Sequence, residues 1–147
     1  MSGSDDLRVR FDMASLGPML EELRQRGGNI GALTPVIAED LLESVLERFE
    51  LESGHAQGPW PELAPATLAR RRASASPKML RDTGLLFGSI TAFSSEEEAM
   101  AFTNVPYAKF HVSKAGRGRL PLRDFFDIDF EAVAERAAEL VAAELAW

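Results

Sequence analysis

Residues 88–104 read GSITAFSSEEEAMAFTN. Two strand-favouring runs, GSITAFSS (88–95) and AMAFTN (99–104), are joined through Glu96, Glu97 and Glu98. They predict an antiparallel hairpin, because β-branched and aromatic residues suit a pleated surface and the acids suit its turn. Outward from this hairpin the apolar residues recur with a different period. Val36, Ile37, Leu41, Leu42, Val45, Leu46 and Phe49 make one helical stripe, and Phe130, Val133, Ala137, Leu140 and Val141 make another. A hairpin flanked by long helices predicts an α+β fold: a small antiparallel sheet with two long helices, about 35–52 and 129–146, and shorter helices packed against it.

The ends of these elements carry their own signals. Thr34-Pro35 reads as N-cap plus first-turn proline, since threonine accepts an orphan amide and proline has none to leave unsatisfied. Asp127 or Asp129 caps the last helix. DLRVRFD (6–12) alternates Leu7, Val9 and Phe11 with charges, the period of a half-buried strand. A short helix follows from Ser15, with Leu16, Met19, Leu20 and Leu23 on one side and Gly27-Gly28 as its stop. GHAQGPWPELAP (54–65) reads as a loop anchored by Trp60 and Leu63; a short helix from Pro65 to Arg72 and a basic loop, SKAGRGR (113–119), complete the plan.

At 147 residues the chain suits one domain, 1–147, able to bury its own core. It has no cysteine, which excludes disulfides, thiolate nucleophiles and cysteine-held metals and suits a reducing cytoplasm. No apolar run is long enough for a membrane span, and the first residues lack the basic start of an export signal, so no membrane partner is expected. The net charge of −7 disfavours general nucleic-acid binding, but the charge is unevenly spread. Arg70, Arg71, Arg72, Lys78 and Arg81 lie in an acid-free stretch, as do Lys109, Lys114, Arg117, Arg119 and Arg123, whereas from Asp124 onward seven acids face only Arg136. Such a chain can present a basic and an acidic face, as a subunit stacking head to tail or facing DNA would.

Asp82-Thr83-Gly84 is the tripeptide of aspartic proteases, which a dimer could duplicate. Its setting opposes that chemistry: Arg81 precedes the aspartate, Leu85 follows the glycine, and an adjoining guanidinium favours full ionisation over a shared proton. A turn explains the same residues, with Asp82 or Thr83 as cap, Gly84 for close approach or positive φ, and Leu85, Leu86 and Ile90 directed to the core. His55 and His111, the only histidines, have no triad or metal spacing and are expected on surface or loop; the lone Tyr107 is expected as an anchor. No catalytic, cofactor or metal residue is therefore assigned, and a dimeric protease and a small DNA-binding regulator stand as alternative readings.

Four blocks in order, WPELAPATLARR (60–71), KMLRDTGLLFGSI (78–90), YAKFH (107–111) and RLPLRDFF (119–126), resemble the phage virion morphogenesis family, the tail-completion proteins of Mu-like contractile-tailed phages. The matching residues are Trp60, Leu63, Thr67, Arg70, Leu80, Thr83, Gly84, Leu85, Ser89, Ile90, Tyr107, Ala108, His111, Pro121, Arg123 and Phe125. The chain departs in placing Gly116 late after its histidine and Leu122 after its proline. The resemblance implies a non-enzymatic structural protein that finishes the tail or prepares the head–tail junction, with tail tube and connector as partners. A sixfold ring of subunits follows as the expected assembly, with Trp60, Phe125 and Phe126 as interface anchors. Lys114, Arg117 and Arg119 would then face DNA in the lumen or the acidic last helix of a neighbour.

Overall fold

The computed structural model describes residues 7–62, 85–112 and 123–146. Its elements, numbered over those residues, fall into two compact units interleaved along the sequence. Over the described residues the hairpin unit comprises 8–43, 91–102 and 129–146, and the aromatic unit 7, 44–62, 85–90, 103–112 and 123–128. The helix expected at 65–72 and the basic loop at 113–119 lie outside the described residues.

The hairpin unit opens with β1 (Leu7–Asp12), where Val9 is half-buried, Phe11 is buried, and Arg8, Arg10 and Asp12 are exposed, as the alternation predicts. A 3-10 turn at Met13–Leu16 follows, capped by the Asp12 carboxylate, which accepts from the Ala14 amide at 2.9 Å. Gly17, at φ 61°, then redirects the chain, so α1 (Pro18–Gln25) begins with proline at its first position, later than the expected Ser15. Two bonds close α1: Gly27 N–H to the Arg24 carbonyl at 3.0 Å and Gly28 N–H to the Leu23 carbonyl at 2.9 Å. Together with Gly27 at φ 73° these make the paired glycine stop that the sequence signals.

α2 (Ile30–Leu51) corrects the reading of Thr34-Pro35 as a helix start. The helix begins at Ile30, Pro35 lies within it, and Thr34 is buried with its hydroxyl donating back to the Ile30 carbonyl at 3.3 Å. Proline inside a helix costs about 3 kcal/mol. Burying Ile30 and Leu33 contributes about 1.5–3 kcal/mol each, enough to extend the helix across the lost amide. Of the expected stripe, Ile37, Leu41, Val45 and Phe49 are buried, Leu42 and Leu46 half-buried, and Val36 exposed.

The three-stranded sheet has the order β1, then Glu98–Thr103, then Thr91–Ser94. β4 (Thr91–Ser94) and β5 (Glu98–Thr103) form the expected antiparallel hairpin, in register Thr91↔Phe102, Ala92↔Ala101, Phe93↔Met100 and Ser94↔Ala99. The first strand is shorter than read from sequence, because Gly88 and Ser89 belong to α3 (Leu85–Ser89). Ala99 and Ala101 are fully buried, their small side chains admitting close packing on that face. α5 (Phe130–Leu145) is capped by Asp129, which accepts from the Ala132 amide at 3.2 Å. It buries Val133, Ala137 and Val141, packs on α1, and leaves Phe130 38% exposed with its ring 6.0 Å from that of Phe11. Arg26 donates to the Leu145 carbonyl, a cation at a helix C-terminus, and Arg136 pairs with the buried Asp40 at 3.3 Å.

In the aromatic unit the segment read as a loop contains a two-stranded ladder, β2 (Ser53–Gly54) with β3 (Gly58–Pro59). Glu52, at φ 51°, ends α2, and its carbonyl accepts from the Trp60 amide at 2.8 Å, closing the excursion. Further along, a 3-10 turn at Pro106–Ala108 leads into α4 (Lys109–Val112). Among the described residues no helix is long and apolar enough to cross a membrane.

Candidate functional site

Phe49, on the last turns of α2, is the hub of the aromatic unit. Its ring lies 5.9 Å from Trp60 at 88°, 5.3 Å from Phe87 at 75° and 5.0 Å from Phe125 at 36°. Phe126 continues the cluster, 4.8 Å from Phe125. Edge-to-face and tilted pairs of this kind add about 0.5–1.5 kcal/mol each beyond burial. Phe49 and Phe125 are fully buried and Trp60 is 3% exposed. Two of the three aromatic residues expected as interface anchors are thus covered by their own chain, and only Phe126 remains half-buried.

Arg123 fastens this cluster. Its backbone amide donates to the His111 carbonyl at 2.9 Å, and its guanidinium donates to the Pro61 carbonyl from Nε at 3.0 Å and Nη2 at 2.8 Å, and to the Glu62 carbonyl at 3.2 Å. A buried cation that saturates backbone carbonyls acts as a staple between distant segments, here 61–62, 111 and 123.

Asp127 is a second fastening point that sequence reasoning considered only as a helix cap. Its carboxylate accepts from the Ala56 amide at 3.1 and 3.0 Å and from the Gln57 amide at 2.8 Å, and its carbonyl accepts from His55 N–H at 2.7 Å. Gly54 faces it so closely that a Cβ there would stand 2.5 Å from the carboxylate. The available signal was a glycine-flanked turn, GHAQG (54–58), whose backbone amides call for acceptors from elsewhere in the chain.

Hydroxyls make a smaller junction. Ser89 and Thr103 Oγ1 are 2.6 Å apart; Ser89 Oγ also contacts the Leu86 carbonyl at 2.7 Å, and Thr103 Oγ1 accepts from the Val105 amide at 3.2 Å. Leu86 and Ile90 are buried, as expected of the tripeptide's flank.

The two histidines differ. His55 is exposed on the β2–β3 turn, as expected. His111, expected on surface or loop, is instead half-buried on α4, and its Nδ1 and the Trp60 Nε1 have no hydrogen-bond partner among the described residues. Burial, helped by the nearby Arg123 charge, pushes the His111 imidazole below its usual pKa, favouring the neutral ring. Burial likewise raises the Asp124 carboxyl, opposed by the Phe126 amide it accepts at 2.9 Å and reinforced by Asp127.

Of the remaining sequence-nominated residues, Leu85 lies on α3 and Tyr107 on the 3-10 turn before α4. Leu63, Thr67, Arg70, Leu80, Asp82, Thr83, Gly84, Lys114, Arg117, Arg119 and Pro121 lie outside the described residues. The structure brings Trp60 and Phe125 to the Phe49 ring, bonds Arg123 to the Pro61 and Glu62 carbonyls that follow Trp60, and ties in His111 through its backbone. The contacts described in this constellation are packing and hydrogen bonding, suited to holding segments in place. Among the described residues no group of His, Asp or Glu is arranged to hold a metal ion.

The units also differ in charge. Over the described residues the hairpin unit contains five arginines against 14 acids, a net −9, and the aromatic unit three basic residues against six acids, a net −3. A family model described as the phage virion morphogenesis family matches residues 11–144. No curated protein and no solved structure matches the chain.

Proposed function

The chain belongs to the phage virion morphogenesis family, and from that premise we propose that it completes the tail and joins it to the head as a non-enzymatic neck subunit. Its role in phage particle assembly follows from the family; the position in the particle is the finer reading. The observation that supports a structural role best is the Arg123 staple. Two of the family-like blocks, at 60 and 123, meet there through a buried cation on the Pro61 and Glu62 carbonyls, so their shared residues serve to fix the fold of a building block.

In this reading the whole chain acts as one domain and its copies close a ring by a heterologous contact, sixfold to match the tail. Phe126, still half-buried at the margin of the cluster, is the aromatic residue available to a neighbour or the tail tube. The basic stretch containing Lys114, Arg117 and Arg119 faces either DNA in the lumen or the acidic α5 of the next copy. The protein works in the virion neck after assembly in the host cytoplasm.

Electron microscopy of induced lysates from a producing strain with this gene disrupted tests the proposal. Full heads separate from unjoined or overlong tails, rescued by complementation, are expected. Normally joined particles would overturn it.

A further inference from the structure

In the hairpin unit, α2 and β4 flank a recess of about 140 Å³ lined by Pro35, Ala38, Glu39, Ala92, Phe93 and Ser94. A space of about 150 Å³ holds a benzene-sized group, so the recess takes one apolar side chain. Phe93 is 48% exposed although it lines the recess, and Val36, next after Pro35, is 40% exposed. The carboxylates of this region are uncompensated. Glu39 is on the wall, Glu43 is exposed one turn further along α2, and Glu96 is exposed in the turn that follows β4. None of the three has an ion-pair partner among the described residues, whereas the unit's arginines are engaged. Arg10 pairs with Asp12 and Glu98, Arg24 with Glu21, Arg26 with Glu22 and Arg136 with Asp40, and Arg8 also has a partner.

We propose that this recess is the docking site for a different protein of the particle, through a segment that presents one apolar side chain flanked by lysine or arginine. Charge complementarity selects that chemistry: the described residues of the unit carry a net −9, and Glu39, Glu43 and Glu96 have no cation of their own to displace. The same charge repels DNA phosphates and an anionic membrane surface. A second copy docking through its described residues would bring a net −9 or −3 against the recess, so the occupant is another chain. The apolar side chain fills the desolvated centre beside Phe93, and the flanking cations form the polar rim that orients the segment. The inference rests on the assembly reading above, names one of its contact surfaces and does not depend on ring closure.

Short overlapping peptides from every structural protein of the producing phage, and from this chain itself, are probed with the full chain. The bound peptides are expected to carry an apolar residue flanked by lysine or arginine, and to bind Phe93→Ser about tenfold or more weakly, the loss of one anchor. Glu39→Lys combined with Glu43→Lys should weaken the same peptides at low salt and much less at high salt. Phe93→Leu, which keeps an apolar side chain, should retain most of the affinity, and circular dichroism checks that each variant folds. In the gene-disrupted strain, Phe93→Ser is expected to restore about tenfold fewer joined particles than wild type. Binding carried by peptides without basic residues, binding unchanged in Phe93→Ser, or no bound peptide would overturn the docking site. Binding carried only by peptides of this chain would overturn it in favour of a contact between copies. Full complementation by Phe93→Ser, in a strain whose disruption leaves heads and tails unjoined, would overturn the site and leave the assembly role standing. Normally joined particles in the disrupted strain would overturn both.

Discussion

Arg123 and Pro61, 62 residues apart, are joined by two hydrogen bonds from one guanidinium to one carbonyl oxygen. Truncating the arginine would strand that oxygen and remove the Glu62 bond in a buried place. Hydrogen bonds to charged groups contribute about 1.5–3 kcal/mol, so Arg123→Ala is expected to lower unfolding stability by about 3 kcal/mol or more. Arg123→Lys should recover little of this, because an ammonium lacks the planar fork. Urea unfolding of the three chains measures both differences; equal stability of wild type and Arg123→Lys would contradict the staple.

Gly54 and Asp127 give a prediction about coupling. Gly54→Ala places a methyl against the Asp127 carboxylate and should destabilise by about 1–3 kcal/mol. Asp127→Ala removes the acceptor for the Ala56 and Gln57 amides and should also destabilise. The double variant is expected to lose less than the sum, since the clash disappears with the carboxylate. Additive losses in a double-mutant cycle would show that the two do not act on one another.

Acidity acts on the aromatic unit in two opposing ways. His111 has a folded pKa below 6.5, so as pH falls through 6.5 the unfolded chain takes up the proton first and stability is lost until the folded pKa is reached. Asp124 has a folded pKa above 3.8, so the folded chain takes up its proton first and stability is gained as pH falls toward 3.8. His111→Gln should flatten the loss that begins near pH 6.5, and Asp124→Asn should stabilise at pH 7 with a benefit that fades under acid. Thermal melts across this range decide, and a His111→Gln profile parallel to wild type would remove the assigned cause.

The basic stretch and the tripeptide can be separated by complementation of the disrupted gene. If the stretch faces DNA, Arg117→Glu with Arg119→Glu should impair DNA retention while leaving fold and ring size intact; normal retention would assign it to a protein neighbour. Asp82→Asn should complement fully, since the assembly reading gives that carboxylate no chemical step. Pepstatin-sensitive cleavage abolished by the same substitution would restore the protease alternative.

Sequence patterning was most informative where one period ran unopposed. β1, the β4–β5 hairpin and α5 follow from alternation or from a 3.6-residue stripe, and Asp129 marks the start of α5, as Gly27-Gly28 marks the end of α1, by local hydrogen bonding alone. The start of α2 was hidden because Thr34-Pro35 is locally a good cap, and only the burial of Ile30 and Leu33 tips the balance. β2 and β3 are too short to have a period. At the site, the family-like blocks pointed to Trp60, Arg123 and Phe125, but their exposure was unreadable: an aromatic anchor and a core aromatic look alike in one dimension. Asp127 was missed as a clasp because its donors are backbone amides, which leave no trace in residue identity.

The interleaving of the two units has a consequence for inheritance. The chain passes between them at five boundaries, after residues 7, 43, 90, 102 and 128, and one of these falls within α2. A single recombination crossover anywhere between the first and last boundary would splice portions of both units from different parents, and at residue 43 it would graft two half-helices. Neither unit can be exchanged whole by one such event, so the two are expected to descend together and to change, when they change, by compensating substitutions.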